Sequence, residues 1–266
     1  MYKKFYGLKE NPFNVTSDPA FFYASAHHKE AYSHLTYGIK QRKGIIVITG
    51  EIGTGKTTLC RTLLNHLDTK TKTAFILNPN FSELQLLQLI IKDFGIVTAR
   101  KDRASLINVL NDFLIEETSQ GNNIVVIIDE AQNLKERQLE HIRLLSNLET
   151  EKEKLLQIVL VGQPELAEKL KLHSLRQINQ RVIVRYHILP LEKNEITSYI
   201  YHRLKVAGAS NKLRFSEETM EEIYLYSGGT PRLINIICDH ALLAGFVAEK
   251  FTLDYPLVRK CIEEIG

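Results

Sequence analysis

Two short stretches of this sequence hold residue types at spacings that chemistry requires. The first is Gly50-Glu51-Ile52-Gly53-Thr54-Gly55-Lys56-Thr57, in which three glycines are closed by Lys-Thr. It fits G-x-x-x-x-G-K-[ST], a loop whose glycines let the backbone fold around phosphate groups so that its N–H groups point at negative charge. Lys56 is expected to reach the β- and γ-phosphates of ATP, and the Thr57 hydroxyl to ligate the accompanying Mg²⁺. Thr58 heads the helix that follows, whose N-terminus adds partial positive charge of its own. The second stretch is the apolar run Ile124–Ile128 ending in Asp129-Glu130. Asp129 is expected to hold the Mg²⁺ shell, and Glu130 to act as the base on a water attacking in line. A base for water favours hydrolysis over transfer to a bound acceptor. The string Asp129-Glu130-Ala131-Gln132 is superficially like the DEAx boxes of helicases, but those need two stacked cores, and this sequence has one phosphate loop.

Three further side chains fit the same chemistry. Gln163, in Val161-Gly162-Gln163-Pro164, follows another apolar run and is expected to sense the γ-phosphate and the water. Arg181 precedes a fifth apolar run, where it would reach a neighbouring subunit's γ-phosphate as an arginine finger; Arg176 is the second choice. Arg232, in Gly228-Gly229-Thr230-Pro231-Arg232, heads a helix and is expected to fold back on the phosphates.

These residues need a scaffold, and the apolar pattern supplies one. Short runs at Ile45–Thr49, Ala74–Leu77, Ile124–Ile128 and Gln157–Val161, and one beginning at Val182, alternate with helix-length segments. That alternation predicts an α/β fold: a parallel five-stranded sheet sandwiched by helices. Ser82 caps a predicted helix that runs to Phe94 and is stopped by Gly95, with Leu84, Leu87, Ile91 and Phe94 on its inner face. Another is predicted over Ser105–Ser119. After Pro190 only helices are expected, forming a C-terminal α-helical lid over 190–266. The core then covers 29–189, and residues 1–28 form an extended, aromatic lead-in.

Composition narrows the classes. The 44% hydrophobic and 24% charged residues describe an ordinary folded chain, and a net charge of +3 is too small to identify a polyanionic partner. Cys60, Cys238 and Cys261 lack any C-x-x-C spacing, so neither a disulfide framework nor a zinc site is expected. The N-terminus does not read as a signal peptide, and no run of 18 apolar residues occurs. A cytoplasmic location is expected.

Together the motifs resemble the AAA+ class of P-loop ATPases. More narrowly, Phe5-Tyr6-Gly7-Leu8-Lys9-Glu10-Asn11-Pro12-Phe13, Asp18-Pro19 and Phe22-Tyr23 are similar to the general secretion pathway protein A (ExeA) family. So are Asp129–Leu134, Gly162-Gln163-Pro164-Glu165-Leu166 and Gly229-Thr230-Pro231-Arg232. The resemblance implies a sheet of order 5-1-4-3-2, a helical lid, and homo-oligomerisation on ATP binding. It also implies that the lead-in packs near the adenine, through Phe13 and Tyr23, and that Asn78 restrains Glu130. Secretion-type members continue past the lid into a membrane span and a peptidoglycan-binding domain, which these 266 residues do not contain. The implied partners are secretion or pilus envelope components, with the inner membrane reached through a partner or a further C-terminal segment. The alternative is a DNA-binding accessory ATPase of the transposition-regulator or replication-initiator type, disfavoured by the weak charge and the lack of a recognisable basic arm.

Overall fold

All five predicted apolar runs are strands of one parallel sheet in the computed structural model, which describes residues 1–79, 81–150 and 153–265. In chain order the first elements are α1 (Tyr2–Tyr6), α2 (Ala26–Lys40), β1 (Ile45–Gly50), α3 (Lys56–His66), β2 (Thr71–Ile76), α4 (Glu83–Asp93) and α5 (Arg103–Ser119). Then come β3 (Asn123–Ile128), α6 (Glu136–Leu145), β4 (Gln157–Gly162), α7 (Pro164–Leu170), α8 (Arg176–Asn179) and β5 (Val182–Ile188). The chain ends with α9 (Ile196–Val206), β6 (Arg214–Phe215), α10 (Glu217–Ser227), α11 (Pro231–Val247), β7 (Thr252–Leu253) and α12 (Tyr255–Ile265). It forms two compact units: residues 30–51 with 62–188, and residues 1–29 with 52–61 and 189–266.

The first unit holds the sheet, in the order β2-β3-β4-β1-β5. This is the order the resemblance implies, counted from the other edge. All six residues of β1 and of β4 are buried, as parallel strands covered on both faces must be. The edge strands β2 and β5 are instead only partly buried, β2 at Ala74 and Ile76 and β5 at Val184 and Ile188, because each has a neighbouring strand on one side only. Ser82 and Gln85 close a reciprocal capping box on α4. The buried stripe of α4 is Leu86, Leu87, Ile90 and Ile91, whereas Leu84 is 36% exposed. The predicted inner face was therefore rotated: α4 lies against β2, α5 and α6, and those contacts select the 86/87/90/91 stripe. α5 begins at Arg103, two residues before the predicted start, and Asp102 caps it, its carboxylate accepting from the Ser105 N–H at 2.9 Å.

The second unit is mostly helical and differs from expectation twice. The lead-in opens with a helical turn, α1, closed by Gly7 in the left-handed region at φ 71°. The C-terminal segment is not helices alone, since Arg214–Phe215 and Thr252–Leu253 pair as a short parallel ladder. Arg203, 6% exposed, ties lead-in to α9: its Nε donates to the Pro12 carbonyl at 2.5 Å and its Nη2 to the Asn14 carbonyl at 3.0 Å. Such charge-assisted bonds satisfy a guanidinium that burial would otherwise penalise.

Gly229 fixes the turn into α11. It sits at φ 76°, its carbonyl accepts from the Leu191 N–H at 2.9 Å, and a Cβ there would lie 2.0 Å from the Leu191 carbonyl oxygen. That neighbour is backbone and cannot swing away. Gly229→Ala is expected to lower stability by about 3 kcal/mol, from left-handed strain and overpacking together. Thermal melting should register this as a Tm fall of about 6–12 °C; an unchanged Tm would show that the turn relaxes freely.

Candidate functional site

The sheet unit brings its polar residues to one edge. Register pairs Thr49 with Gly162 and Ile128 with Leu160. Continuing that register puts Asp129 level with Val161 and Glu130 level with Gly162. Gly50, Asp129, Glu130 and Gln163 therefore all leave the carboxyl edge of three adjacent strands, β1, β3 and β4. At about 4.8 Å between neighbouring strands, the whole constellation spans about 10 Å.

Asp129 is 2% exposed, and its Oδ1 accepts from the Glu130 N–H at 2.9 Å. Glu130 adopts φ 53°, ψ 36°, a left-handed conformation that a residue with a Cβ occupies only when its surroundings impose it. The surroundings are two amides. Gln132 Nε2 donates to Glu130 Oε2 at 2.5 Å, and Gln163 Nε2 approaches the same oxygen at 3.5 Å. Gln132 Oε1 in turn accepts from the Gln163 N–H at 3.1 Å, and the Gln132 carbonyl accepts from Lys169 Nζ at 2.5 Å. Gly162 leaves room for this: a Cβ there would lie 2.8 Å from Gln132 Oε1. Glu130 and Gln163 are thus brought together, with Gln132, not a sequence candidate, as the hinge between them. Asn78 lies exposed beyond β2.

Glu51 and Ile52 are exposed beyond β1, while Gly53–Thr58 belong to the helical unit. Gly53 and Gly55 adopt φ 82° and 93°, which glycine reaches without strain. Thr54 is fully buried and Lys56 is 7% exposed. Lys56, Thr57 and Thr58 open α3, whose first amides have no intrahelical acceptor. Left-handed loop glycines, the first helix amides and an ammonium at one turn are the donor set a triphosphate needs, and two glycines supply the close approach. Arg232 belongs to the same unit and lies against this loop. Its N–H donates to the Gly53 carbonyl at 3.2 Å, and a Cβ on Gly53 would lie 2.6 Å from Arg232 Cβ and 3.2 Å from Thr230 Cγ2. The turn into α11 is therefore built against the phosphate loop, and the Arg232 side chain is exposed.

The remaining candidates are placed elsewhere. Arg176 and Arg181 share one cleft of about 700 Å³ in the sheet unit, lined also by Arg143, His173, Ser174, Gln177 and Gln180. Arg143 is already paired with Glu140 at 2.7 Å. Phe13 is 2% exposed and meets Phe215 edge-on, so the adenine role expected of it would require that contact to open. Tyr23 is half-buried, edge-on to Tyr199.

Comparison with known proteins agrees with this geometry. Residues 39–170 match the AAA domain family. The chain is 44% identical over 92% of its length to general secretion pathway protein A of Aeromonas hydrophila. It spans about half (45%) of that relative's length. Among solved structures, it is similar to CDC6P of Pyrobaculum aerophilum, with a TM-score of 0.72 and 19% identity over 92% of this chain and 70% of that one. The ADP form of the ORC2 protein of Aeropyrum pernix gives a TM-score of 0.65 at 17% identity, covering 89% and 67% of the two chains. The RUVB Holliday junction branch migration motor of Thermotoga maritima gives 0.59 at 16%, covering 88% and 68%. At such identities these structures establish the fold alone. Sheet order, phosphate loop and family match converge, and the chain belongs to the AAA+ P-loop ATPase family, as a relative of general secretion pathway protein A.

Proposed function

We propose that this chain binds ATP with Mg²⁺, hydrolyses it, and uses nucleotide-dependent self-assembly to drive construction of a secretion- or pilus-type envelope system. The observation that supports hydrolysis best is Glu130, a carboxylate at the sheet edge beside Asp129, forced into left-handed backbone and gripped by glutamine amides. On this reading Gly50–Thr58 hold the phosphates through backbone amides and the Lys56 ammonium. Thr57 and Asp129 hold Mg²⁺, which when bound neutralises phosphate charge and polarises the phosphorus–oxygen bonds. Glu130 takes a proton from water at its carboxylate oxygen, while Gln163 and Gln132 fix the direction in which that oxygen points. Arg232 answers the phosphates from the head of α11. The working division is lead-in 1–28, catalytic core 29–189 and lid 190–266, with Tyr23 preferred to Phe13 on the adenine side. Secretion enters through the name of the A. hydrophila relative, and the envelope components of such a system are the partner class we assign.

Phosphate release from Mg-ATP by the purified chain tests the core of this reading; no turnover at any protein concentration would sink it. Arg181→Ala is expected to cut the rate by about 10³-fold or more, because a finger stabilises charge that appears only in the transition state. Mixing that variant with Glu130→Gln chains, which retain Arg181, should restore activity if the finger acts between subunits. Failure to complement would place Arg181 outside the reaction. Strong, salt-sensitive stimulation by duplex DNA would move the partner class from envelope components to nucleic acid.

A further inference from the structure

A histidine that no motif requires sits beneath the phosphate loop. Ser25, His28 and Thr54 are 1%, 4% and 0% exposed, all within the helical unit. His28 Nε2 lies 2.8 Å from the Thr54 carbonyl oxygen, and its Nδ1 lies 2.6 Å from Ser25 Oγ. A carbonyl only accepts, so Nε2 must carry the proton. Burial pushes the imidazole below its ordinary range, opposed in part by the bond to the Thr54 carbonyl. The ring is therefore neutral near pH 7, and Nδ1 accepts from the Ser25 hydroxyl. Ser25 Oγ accepts in turn from the His28 N–H at 3.3 Å. Phe22 closes the side of the ring edge-on, with centroids 5.5 Å apart. Every polar atom of this imidazole is thus committed, and its orientation is fixed.

What the ring fixes is a peptide plane. In a trans peptide the C=O of one residue and the N–H of the next point in opposite directions. Holding the Thr54 carbonyl toward His28 therefore turns the Gly55 N–H the other way, out of the buried side. Gly55 itself must be glycine, at φ 93°, and a Cβ there would stand 3.1 Å from His28 Nε2. Without that anchor the Thr54–Gly55 peptide is less restrained, because one of its two flanking torsions, φ of Gly55, belongs to a glycine.

We infer that His28 is the positioning residue of the phosphate loop: through its Nε2–H it locks the Thr54–Gly55 peptide so that the Gly55 amide is preset to receive a phosphate oxygen of the nucleotide. This rests on the nucleotide reading above and adds to it a second layer behind the loop, supplied by the start of α2. Lys56 and the helix amides attract the phosphates; His28 removes the need to reorganise the loop when they arrive.

Two substitutions separate positioning from packing. The glutamine Nε2 reaches about as far along the side chain as histidine Nε2, whereas the asparagine Nδ2 reaches only to the level of Nδ1. His28→Gln should keep Mg-ATP and Mg-ADP affinity within about threefold of the unsubstituted chain, while His28→Asn should weaken both about tenfold, the worth of one hydrogen bond. Titration calorimetry with Mg-ATP and Mg-ADP, beside melting of the nucleotide-free protein, reads both. Ser25→Ala, a milder change that frees the ring, should weaken affinity about threefold and serves if His28→Asn fails to fold. Unaltered affinity in His28→Asn or in Ser25→Ala overturns the proposal. So does equal loss in Gln and Asn variants in step with their melting temperatures, which is what a packing role would give. If the unsubstituted chain has no affinity for Mg-ATP, the nucleotide reading falls and this one with it, and the two failures are told apart by which protein shows them.

Discussion

Glu130→Gln is expected to lower ATP turnover by about 10²–10⁴-fold, the range over which a positioned general base contributes. Mg-ATP affinity should stay within about threefold, since only a transition-state interaction is removed. The substitution suits the site. A glutamine side chain has the same length, and its carbonyl oxygen still accepts from Gln132 Nε2, now 2.5 Å from Glu130 Oε2. The left-handed backbone at residue 130 is as strained for Gln as for Glu, so melting should not change by more than about 0.5 kcal/mol. Single-turnover phosphate release and calorimetric binding read the two halves of the claim. Turnover near that of the unsubstituted chain would show that the proton leaves water by another route, and the grip of Gln132 would then need a different explanation.

How much of this was legible beforehand depended on distance along the chain. The phosphate loop is contiguous, and the Asp129-Glu130 pair follows its strand directly, so both were visible as local patterns. The β1, β3 and β4 runs were equally clear because double-sided burial leaves them almost purely apolar. The residues missed are those whose meaning comes from a partner elsewhere. Gln132 gains its role by bonding Gln163, and His28 by bonding Thr54. The string containing Gln132 was singled out twice, as superficially like the helicase box and as part of the family resemblance, but nothing local says that its amide turns back on Glu130. Gln163 itself was legible only because it too ends a strand.

The misread elements have similar causes. Two residues, as in β6 and β7, carry no period for a pattern to reveal. The helix α1 has no side-chain cap and is five residues long, too short to be stable by propensity. It is held by aromatic packing instead, with Phe5 stacked on Phe251 at 4.7 Å and edge-on to Phe246 at 5.5 Å. An aromatic-rich lead-in signals that it packs on something; it does not signal in which conformation. On α4 the apolar residues outnumber the positions of one face, so periodicity alone could not choose between Leu84 and Leu86.

Lys56→Ala carries the largest expected loss of binding, and its two readouts should part: a large loss of affinity beside a small change in nucleotide-free stability. Contacts from an ammonium to the β- and γ-phosphates are charge-assisted, each worth about 1.5–3 kcal/mol. Losing two of them should weaken Mg-ATP binding by about 10²–10⁴-fold. The nucleotide-free protein should respond differently. Lys56 is 7% exposed and opens α3, so a positive charge sits at the helix end that already carries the positive pole of the dipole. Alanine removes that repulsion and has the best helix propensity. Set against these is the loss of the contacts Lys56 makes in the nucleotide-free protein, so melting without nucleotide should shift by no more than about 1 kcal/mol. With saturating Mg-ATP the variant should fall well below the unsubstituted chain, because the unsubstituted chain gains linkage stabilisation that the variant lacks. A lysine kept for packing would lose stability in both conditions and leave affinity alone. A lysine kept for phosphate loses affinity first, and unchanged Mg-ATP binding in Lys56→Ala would remove the phosphate assignment on which every other role depends.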